Sequence, residues 1–515
     1  MLLNQRTHSI VHMIKKFFFP LLTTFLFCTG CAVSNKNYNP NKKYSRQQLQ
    51  EDFSLLRNIL EKKHPALYWY TPKDSMNFYF DSCYNAIADS MTELQFGWQV
   101  LAPLTHTIHC GHTSFSMSQH WNKYISDKIT PSFSLFLKVM GDTMVVTGNL
   151  NRKDSVIKKG TLINSINGIR NHEMILQMFQ YLPLDGNSDN VNYVRISGNF
   201  PYYHRNIFGI YKNYRVGYTD SSGNEKTVLL PMFNPVIDTF FRRRKPPMEP
   251  KPPRKQLNKE RRESYRSIEI DSTINTAVIT LNTFSNGGGR HLRSFMRQSF
   301  KKIRKQRVKN LVLDLRSNGG GDINMSALLT KYLRNTPFKV VDTAYALSKS
   351  FGPYTRYIHQ GWLSNIGLLF ISTKKKDGYT HFGYWERHWF QPKTKNHFDG
   401  KTYVLINGPS FSATTIFCNA VKGQSNITLA GEETGGGWYG NSGLLIPDIT
   451  LPNTKLKVRL PFFKIVQFNH TIKNGRGVPP DLFIAPTVDG VRRSADKKME
   501  IVKGLIKSSQ TIQHQ

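Results

Sequence analysis

Three hydroxyls and three imidazoles carry most of the chemistry this chain could perform. The hydroxyls are Ser410, Ser412 and Thr414, inside Asn407-Gly408-Pro409-Ser410-Phe411-Ser412-Ala413-Thr414-Thr415-Ile416-Phe417. A serine becomes a nucleophile when a base accepts its proton and N–H donors face the oxyanion that forms on attack. A turn between strand and helix suits this, because it holds the hydroxyl clear of the sheet edge beside the free N–H groups of a helix start. The same residue types also cap helices with no chemistry at all. The imidazoles, His106, His109 and His112, recur every third residue around Cys110. An imidazole that titrates near neutrality can act as general base, and histidines beside a cysteine can ligate zinc. Spacing by three on a short segment aims the rings progressively apart, and no acidic ligand is close in sequence. No metal is expected.

The apolar pattern shows what positions these groups. Tyr403-Val404-Leu405-Ile406 is an apolar, β-branched run that breaks at Asn-Gly-Pro and resumes at helical spacing to Val421. It predicts strand, sharp turn and helix. The same alternation flanks it. Ala277–Leu281 reads as a strand, and Leu292, Phe295, Met296, Ser299 and Ile303 mark a helix face. Leu311–Leu315 reads as a buried strand, followed by the turn Arg316-Ser317-Asn318-Gly319-Gly320-Gly321 and a helix from Met325 to Leu333; Ile427–Leu429 closes the series. Such alternation argues for an α/β sheet with much parallel pairing. Residues 336–400 interrupt it with an aromatic-rich excursion that serves either as a functional lid or as a structural elaboration.

Upstream, Ser45 with Gln48 three places on forms a capping box. Leu49, Phe53, Leu56 and Leu60 then follow at helical spacing until Pro65. Helical pattern continues to about residue 105, giving an N-terminal helical subdomain over 45–120. Residues 121–235 show short alternating runs broken by Gly, Asn and Asp, which predicts a small β-rich domain. Within it, Ile157–Gly168 reads as a strand leaving a glycine turn and ending in Ile-Asn-Gly. The segment 236–264 contains the densest basic run and five prolines between Lys245 and Arg254. That is a solvated linker composition, leaving 265–510 as the final domain.

The chain opens with Lys15-Lys16 ahead of an apolar run from Phe17 to Phe27, then Cys28-Thr29-Gly30-Cys31. A basic segment, a short apolar stretch and small residues before a cut describe a secretory signal over 1–31, with Met13 a plausible start. Cysteine after Thr-Gly resembles a bacterial lipoprotein processing site. It implies a chain lipidated at Cys31, tethered by 32–44 to the cell envelope and held at the periplasm-facing outer membrane; a soluble secreted protein or an uncleaved anchor are the alternatives. The remaining cysteines, Cys83, Cys110 and Cys418, form no disulfide framework, although one bridge is possible. The formal net charge of +36 is dispersed outside the linker and has no nucleic-acid motif with it. It suggests attraction to an anionic membrane or envelope polymer, and no nucleic-acid partner is expected.

Three motifs follow in order: Leu313-Asp314-Leu315-Arg316-Ser317-Asn318-Gly319-Gly320-Gly321, Ser410 to Phe417, and Gly431-Glu432-Glu433-Thr434-Gly435-Gly436. With the earlier hairpin and the closing Gly477-Val478-Pro479-Pro480-Asp481, they resemble the tail-specific (C-terminal processing) serine peptidases and their tricorn-core relatives. The resemblance spans about residues 100–485. It implies an α/β fold with a crotonase-like catalytic core, preceded by the helical subdomain and a PDZ-like domain that binds chain ends by strand addition. It further implies a peptidase with no cofactor, acting on a protein or peptide substrate with an unstructured end. Ser412 takes the nucleophile's place. Gly437 stands where the tail-specific branch has its lysine base, and Thr415 where the family has a Glu. Ile108-His109-Cys110-Gly111-His112-Thr113 resembles the segment that supplies a histidine base in the tricorn-like branch, which assigns that role to His112. The oxyanion donors would be Gly319, Gly320 and the Ala413 N–H, and Asn474 is the candidate third member. A binding protein that kept this fold and lost turnover is the alternative.

Overall fold

Ser45 opens the first helix with both capping-box bonds formed, and the helix Arg46–Lys63 buries Leu49, Phe53, Leu56 and Leu60 along one stripe. It stops at His64, ahead of Pro65, because the residue before a proline is driven out of helical conformation. The computed structural model describes residues 38–238, 252–468 and 471–512. The signal segment with Cys31 and residues 32–37 of the tether lie outside the described residues. Helices continue to Thr107, with a single π-helical stretch at Gly97–Leu101. No helix among the described residues is long and apolar enough to cross a membrane.

The next region is built on an antiparallel sheet in the order Leu135–Met140, Thr143–Asn149, Leu162–Ile166, Asn213–Thr219, Glu225–Pro231, with Ile169–Arg170 paired to the third strand. The hairpin at Ile-Asn-Gly turns through Asn167 and Gly168, both at positive φ. Two consecutive positive φ values match the right-handed twist of the flanking strands. Three helices also lie here, at Asn171–Phe179, Asn190–Gly198 and Phe200–Phe208, within the region the sequence predicted as β-rich. Asn, Tyr, Val and Ser give the second of these little intrinsic helicity. Its buried Val191, Asn192 and Ile196 show that packing holds it. Pro201 sits in the first turn of the third helix, where its missing N–H costs nothing.

The last domain is organised by a six-stranded sheet in the order Arg266–Asp271, Thr276–Leu281, Asn310–Asp314, Lys401–Ile406, Ile427–Gly431, Leu482–Phe483. The first pair is antiparallel and the rest are parallel. Asp314 lies opposite Leu405, so the two strands end together and both following turns leave the same sheet edge. In open α/β sheets that carboxyl edge is where ligands bind. Helices Leu292–Lys305, Ile323–Lys331 and Ala413–Val421 cover one face, burying Leu313, Val404 and Phe417 between them. Within the expected linker, 239–251 lie outside the described residues, but Arg254–Glu263 is a helix with no buried residue. Arg, Lys, Gln and Glu are good helix formers, so a run can be both solvated and helical.

Residues 336–400 supply a strand, Val341–Ala346, that pairs with Phe463–Gln467 in a second sheet, and a helix, Gly361–Ile371. A third, small sheet joins distant parts of the chain: Phe115 and Ser116 pair with Val458 and Lys457. Arg459 N–H also donates to Ser114 O at 3.0 Å. The segment carrying His112 is thereby stitched to the last domain.

Candidate active site

Ser412 stands at the N-cap position of helix Ala413–Val421 with φ 55° and ψ −119°, yet its side chain makes no capping hydrogen bond. Capping alone would spend the hydroxyl on a nearby N–H; here it lines a cavity instead. A serine at that φ is strained by about 1–3 kcal/mol, and strain of this kind concentrates at functional sites. Ser410, by contrast, is structural. It is fully buried, its Oγ donates to Leu315 O at 2.9 Å, and it accepts from Asn407 N–H at 3.0 Å. These bonds tie the serine turn to the end of the neighbouring strand.

His112 lines the same cavity of about 730 Å³ as Ser412. Its ring centroid lies 4.8 Å from that of Phe411, the residue before the serine. Gly111 makes this approach possible, since a Cβ there would meet the Phe411 ring at 2.6 Å and Asp185 Oδ1 at 3.1 Å. Burial pushes the His112 imidazole down to about 3, with Arg459, Arg195 and His64 adding in the same direction. At neutral pH it is therefore the unprotonated, proton-accepting form. Its Nδ1 is buried without a partner. Behind it, His64 accepts from Ala66 N–H at Nδ1 and so donates from Nε2 to Thr113 Oγ1 at 2.8 Å.

The glycine turn faces the serine. A Cβ on Gly320 would come within 2.7 Å of Phe411 O and Ser412 Cβ and 2.9 Å of Ala413 N. Its N–H, an expected oxyanion donor, is already given to Asn318 Oδ1 at 3.0 Å. The N–H groups of Gly319, Gly321 and Ala413 have no hydrogen-bond partner among the described residues. Asn318 organises the turn. Fully buried, it also donates from Nδ2 to Leu281 O at 3.0 Å and accepts from Phe411 N–H at 3.1 Å. Its place between the predicted strand end and the glycines was visible in sequence, but its three-way bonding was not.

Asn474 is not brought to His112. It is exposed, accepts from Arg476 N–H at 2.9 Å through Oδ1, and does not line the cavity. A lysine at position 437 has no room, because a Cβ on Gly437 would meet Gly440 O at 2.5 Å. Thr415 packs beside Gly436, whose own Cβ would strike Thr415 Oγ1 at 2.3 Å. His106 and His109 direct Nδ1 to the carbonyls of Leu182 and Gly186, at 2.8 and 2.5 Å. No group of three His, Cys, Asp or Glu among the described residues is placed to hold a metal. A residue the sequence did not single out, Asp185, accepts from Gly111 N–H at 2.6 Å and Gly437 N–H at 3.3 Å. In sequence it looks like an ordinary Asp-Gly turn. Burial raises its carboxyl to about 6, opposed by those two N–H groups and by Arg195.

Residues 275–484, which include the serine turn and the glycine turn, match the model of peptidase family S41. This is a family S41 peptidase domain. It carries serine-type hydrolase machinery, in keeping with the ordered motifs. The chain superposes on mature CPAF with a TM-score of 0.59 at 14% identity, covering 90% of this chain and 97% of that one. Mature CPAF complexed with lactacystin gives 0.58 at 14%, covering 90% and 98%. A putative peptidase from Parabacteroides merdae gives 0.43 at 14%, covering 90% and 97%. The two likenesses to CPAF concern the fold. No curated protein matches the chain.

The buried histidines around the S41 domain set a pH dependence. His64 and His112 are held down to about 3, and His204, stacked on Phe133, to about 4, all mainly by burial. Unfolded histidine takes a proton near pH 6.5. Below that pH the unfolded chain binds more protons, so stability present above 6.5 is lost as pH falls toward 4, by about 1.4 kcal/mol per pH unit for each histidine. Asp185 acts oppositely between its ordinary value, 3.8, and about 6, where its stabilisation declines as pH rises. Histidines dominate three to one, so thermal melting shifts downward below pH 6. His204→Phe fits the aromatic site and should flatten that slope by about half; an unchanged slope would show that His204 is already protonated in the folded state.

Proposed function

We propose that this chain is an envelope serine endopeptidase of the tail-specific type, which cleaves peptide bonds through an acyl-enzyme on Ser412 with His112 as general base. The observation that carries it is a strained, uncapped serine sharing one cavity with a neutral imidazole and with Gly319 and Gly321, whose backbone N–H groups are unspent, as is that of Ala413 next in the chain. The Ser412 Oγ attacks the scissile carbonyl while His112 takes its proton. The oxyanion is held by Ala413 N–H together with Gly319 and Gly321, since Gly320 N–H is spent on Asn318. Collapse breaks the C–N bond as His112 returns the proton to the leaving amine, and water then hydrolyses the ester by the same route. The last domain is read as a crotonase-like core and the sheet of residues 135–231 as the PDZ-like unit that presents an unstructured substrate end. Lipid anchoring through Cys31 would hold the enzyme at the outer membrane, facing the periplasm.

One observation favours a second reading. The Nδ1 of His112 has no partner, and Arg195 and Arg459 disfavour the imidazolium that catalysis requires. A degenerate site that only binds peptides would look the same. A fluorophosphonate probe separates the two. Covalent labelling mapped to Ser412 supports the peptidase, and its absence in folded protein leaves the binding protein.

A further inference from the structure

We propose that a second cavity against Ser412 receives the side chain on the acyl side of the scissile bond and selects a large apolar residue there. This deepens the reading of Ser412 as nucleophile and His112 as base, and rests on it. Two cavities meet Ser412. His112 lines the one of about 730 Å³ but not the other, of about 400 Å³. The base must hand its proton to the leaving amine, so the leaving half of the substrate lies on the His112 side. The acyl half then falls on the opposite side of Ser412, into the smaller cavity.

That cavity is fitted for an apolar group. Gly321, Ser412 and Ala413 form its mouth, and Ile323, Ile416, Phe463 and Ile465 line its walls. The remaining wall comes from the excursion that the sequence left open as lid or elaboration. Helix Gly361–Ile371 turns Ser364, Gly367, Leu368 and Ile371 toward the cavity, an i, i+3, i+4, i+7 face, and Trp385 joins them. Asp322, the charged lining residue, spends Oδ1 on Asn324 N–H as a helix cap. Asn441 also lines the cavity and is buried, with its Nδ2 unpartnered. A mostly apolar chamber with a few polar groups, here Asp322, Asn324, Ser364, Ser412 and Asn441, is the usual make-up of a specificity pocket. The excursion is thereby a specificity element.

The test uses internally quenched peptides that differ only in the acyl-side residue: Phe, Leu, Ala, Asp or Lys. Expected kcat/KM for Phe and Leu exceeds that for Ala by about 10–100-fold, the worth of a few buried methylenes. Gly367→Leu places a side chain where a Cβ meets no atom within 4 Å. Leucine is also the better helix former, so melting should not fall. The expected result is a Phe-to-Ala ratio lowered about tenfold or more. Ile371→Asp, at a partly exposed position, should raise the Lys-to-Asp ratio. Fluorophosphonate labelling of the unmodified protein keeps the two claims apart. Failure of Ser412 to label overturns the peptidase reading itself. Labelling combined with a flat profile across the five peptides, or with a Phe-to-Ala ratio indifferent to Gly367→Leu, overturns the pocket alone.

Discussion

Ser412→Ala is expected to lower peptide hydrolysis on the order of 10⁴–10⁶-fold, because the acyl-enzyme can no longer form and only binding and oxyanion stabilisation remain. Stability should move by less than about 0.5 kcal/mol, since the lost hydroxyl makes no capping bond. Ser412→Gly should be equally inactive but more stable. Glycine relieves a φ of 55°, worth about 1–3 kcal/mol, and gives back about 0.5–1 kcal/mol through the freer unfolded chain. The net expectation is about 1 kcal/mol of stabilisation, read by denaturant unfolding. A gain in stability with total loss of turnover is the signature of strain held for function. Hydrolysis of the same peptides by the alanine variant would remove Ser412 from the mechanism.

Gly320→Ala should be the most damaging substitution away from the reacting groups. The residue sits at φ +95°, and a methyl there would meet Phe411 O and Ser412 Cβ, both 2.7 Å away. Neither can yield cheaply, because Phe411 N–H is bonded to Asn318 and Ala413 begins a buried helix. Positive φ and overpacking together cost about 2–4 kcal/mol. The displacement moves the nucleophile and the Ala413 donor at once, so kcat/KM should fall by at least about 10³-fold. Gly319→Ala provides the contrast. No atom lies within 4 Å of its Cβ and its φ is ordinary, so its melting should shift by less than the equivalent of about 1 kcal/mol. Equal destabilisation by both alanines would contradict the packing described.

What sequence could foresee follows from how strongly each element states itself. The parallel strands were legible because both faces are buried, which forces continuous β-branched runs such as Leu311–Leu313 and Tyr403–Ile406. The first helix was legible from Ser45 with Gln48, the apolar spacing from Leu49 to Leu60, and Pro65. Helices Asn190–Gly198 and Arg254–Glu263 were not, the first because packing overrides weak propensity, the second because a charge run says nothing of backbone. The serine turn and the histidine segment could be named from their motifs, and the structure brings both to one cavity. The use of Gly320 N–H by Asn318 is a matter of backbone orientation that no residue type reveals. Asn474 was chosen by position along the chain, and the loop carries it to the surface on the side of Asn187, to which its carbonyl bonds at 3.2 Å.

The short pairing of Phe115–Ser116 with Lys457–Val458 has a consequence for timing. His112, the proposed proton acceptor, is made early in synthesis, Ser412 three hundred residues later, and the strand that clasps the two segments together later still. A chain still emerging from the ribosome therefore holds no assembled site. On the proposed assignment, activity arises only when the chain's own biogenesis is nearly over.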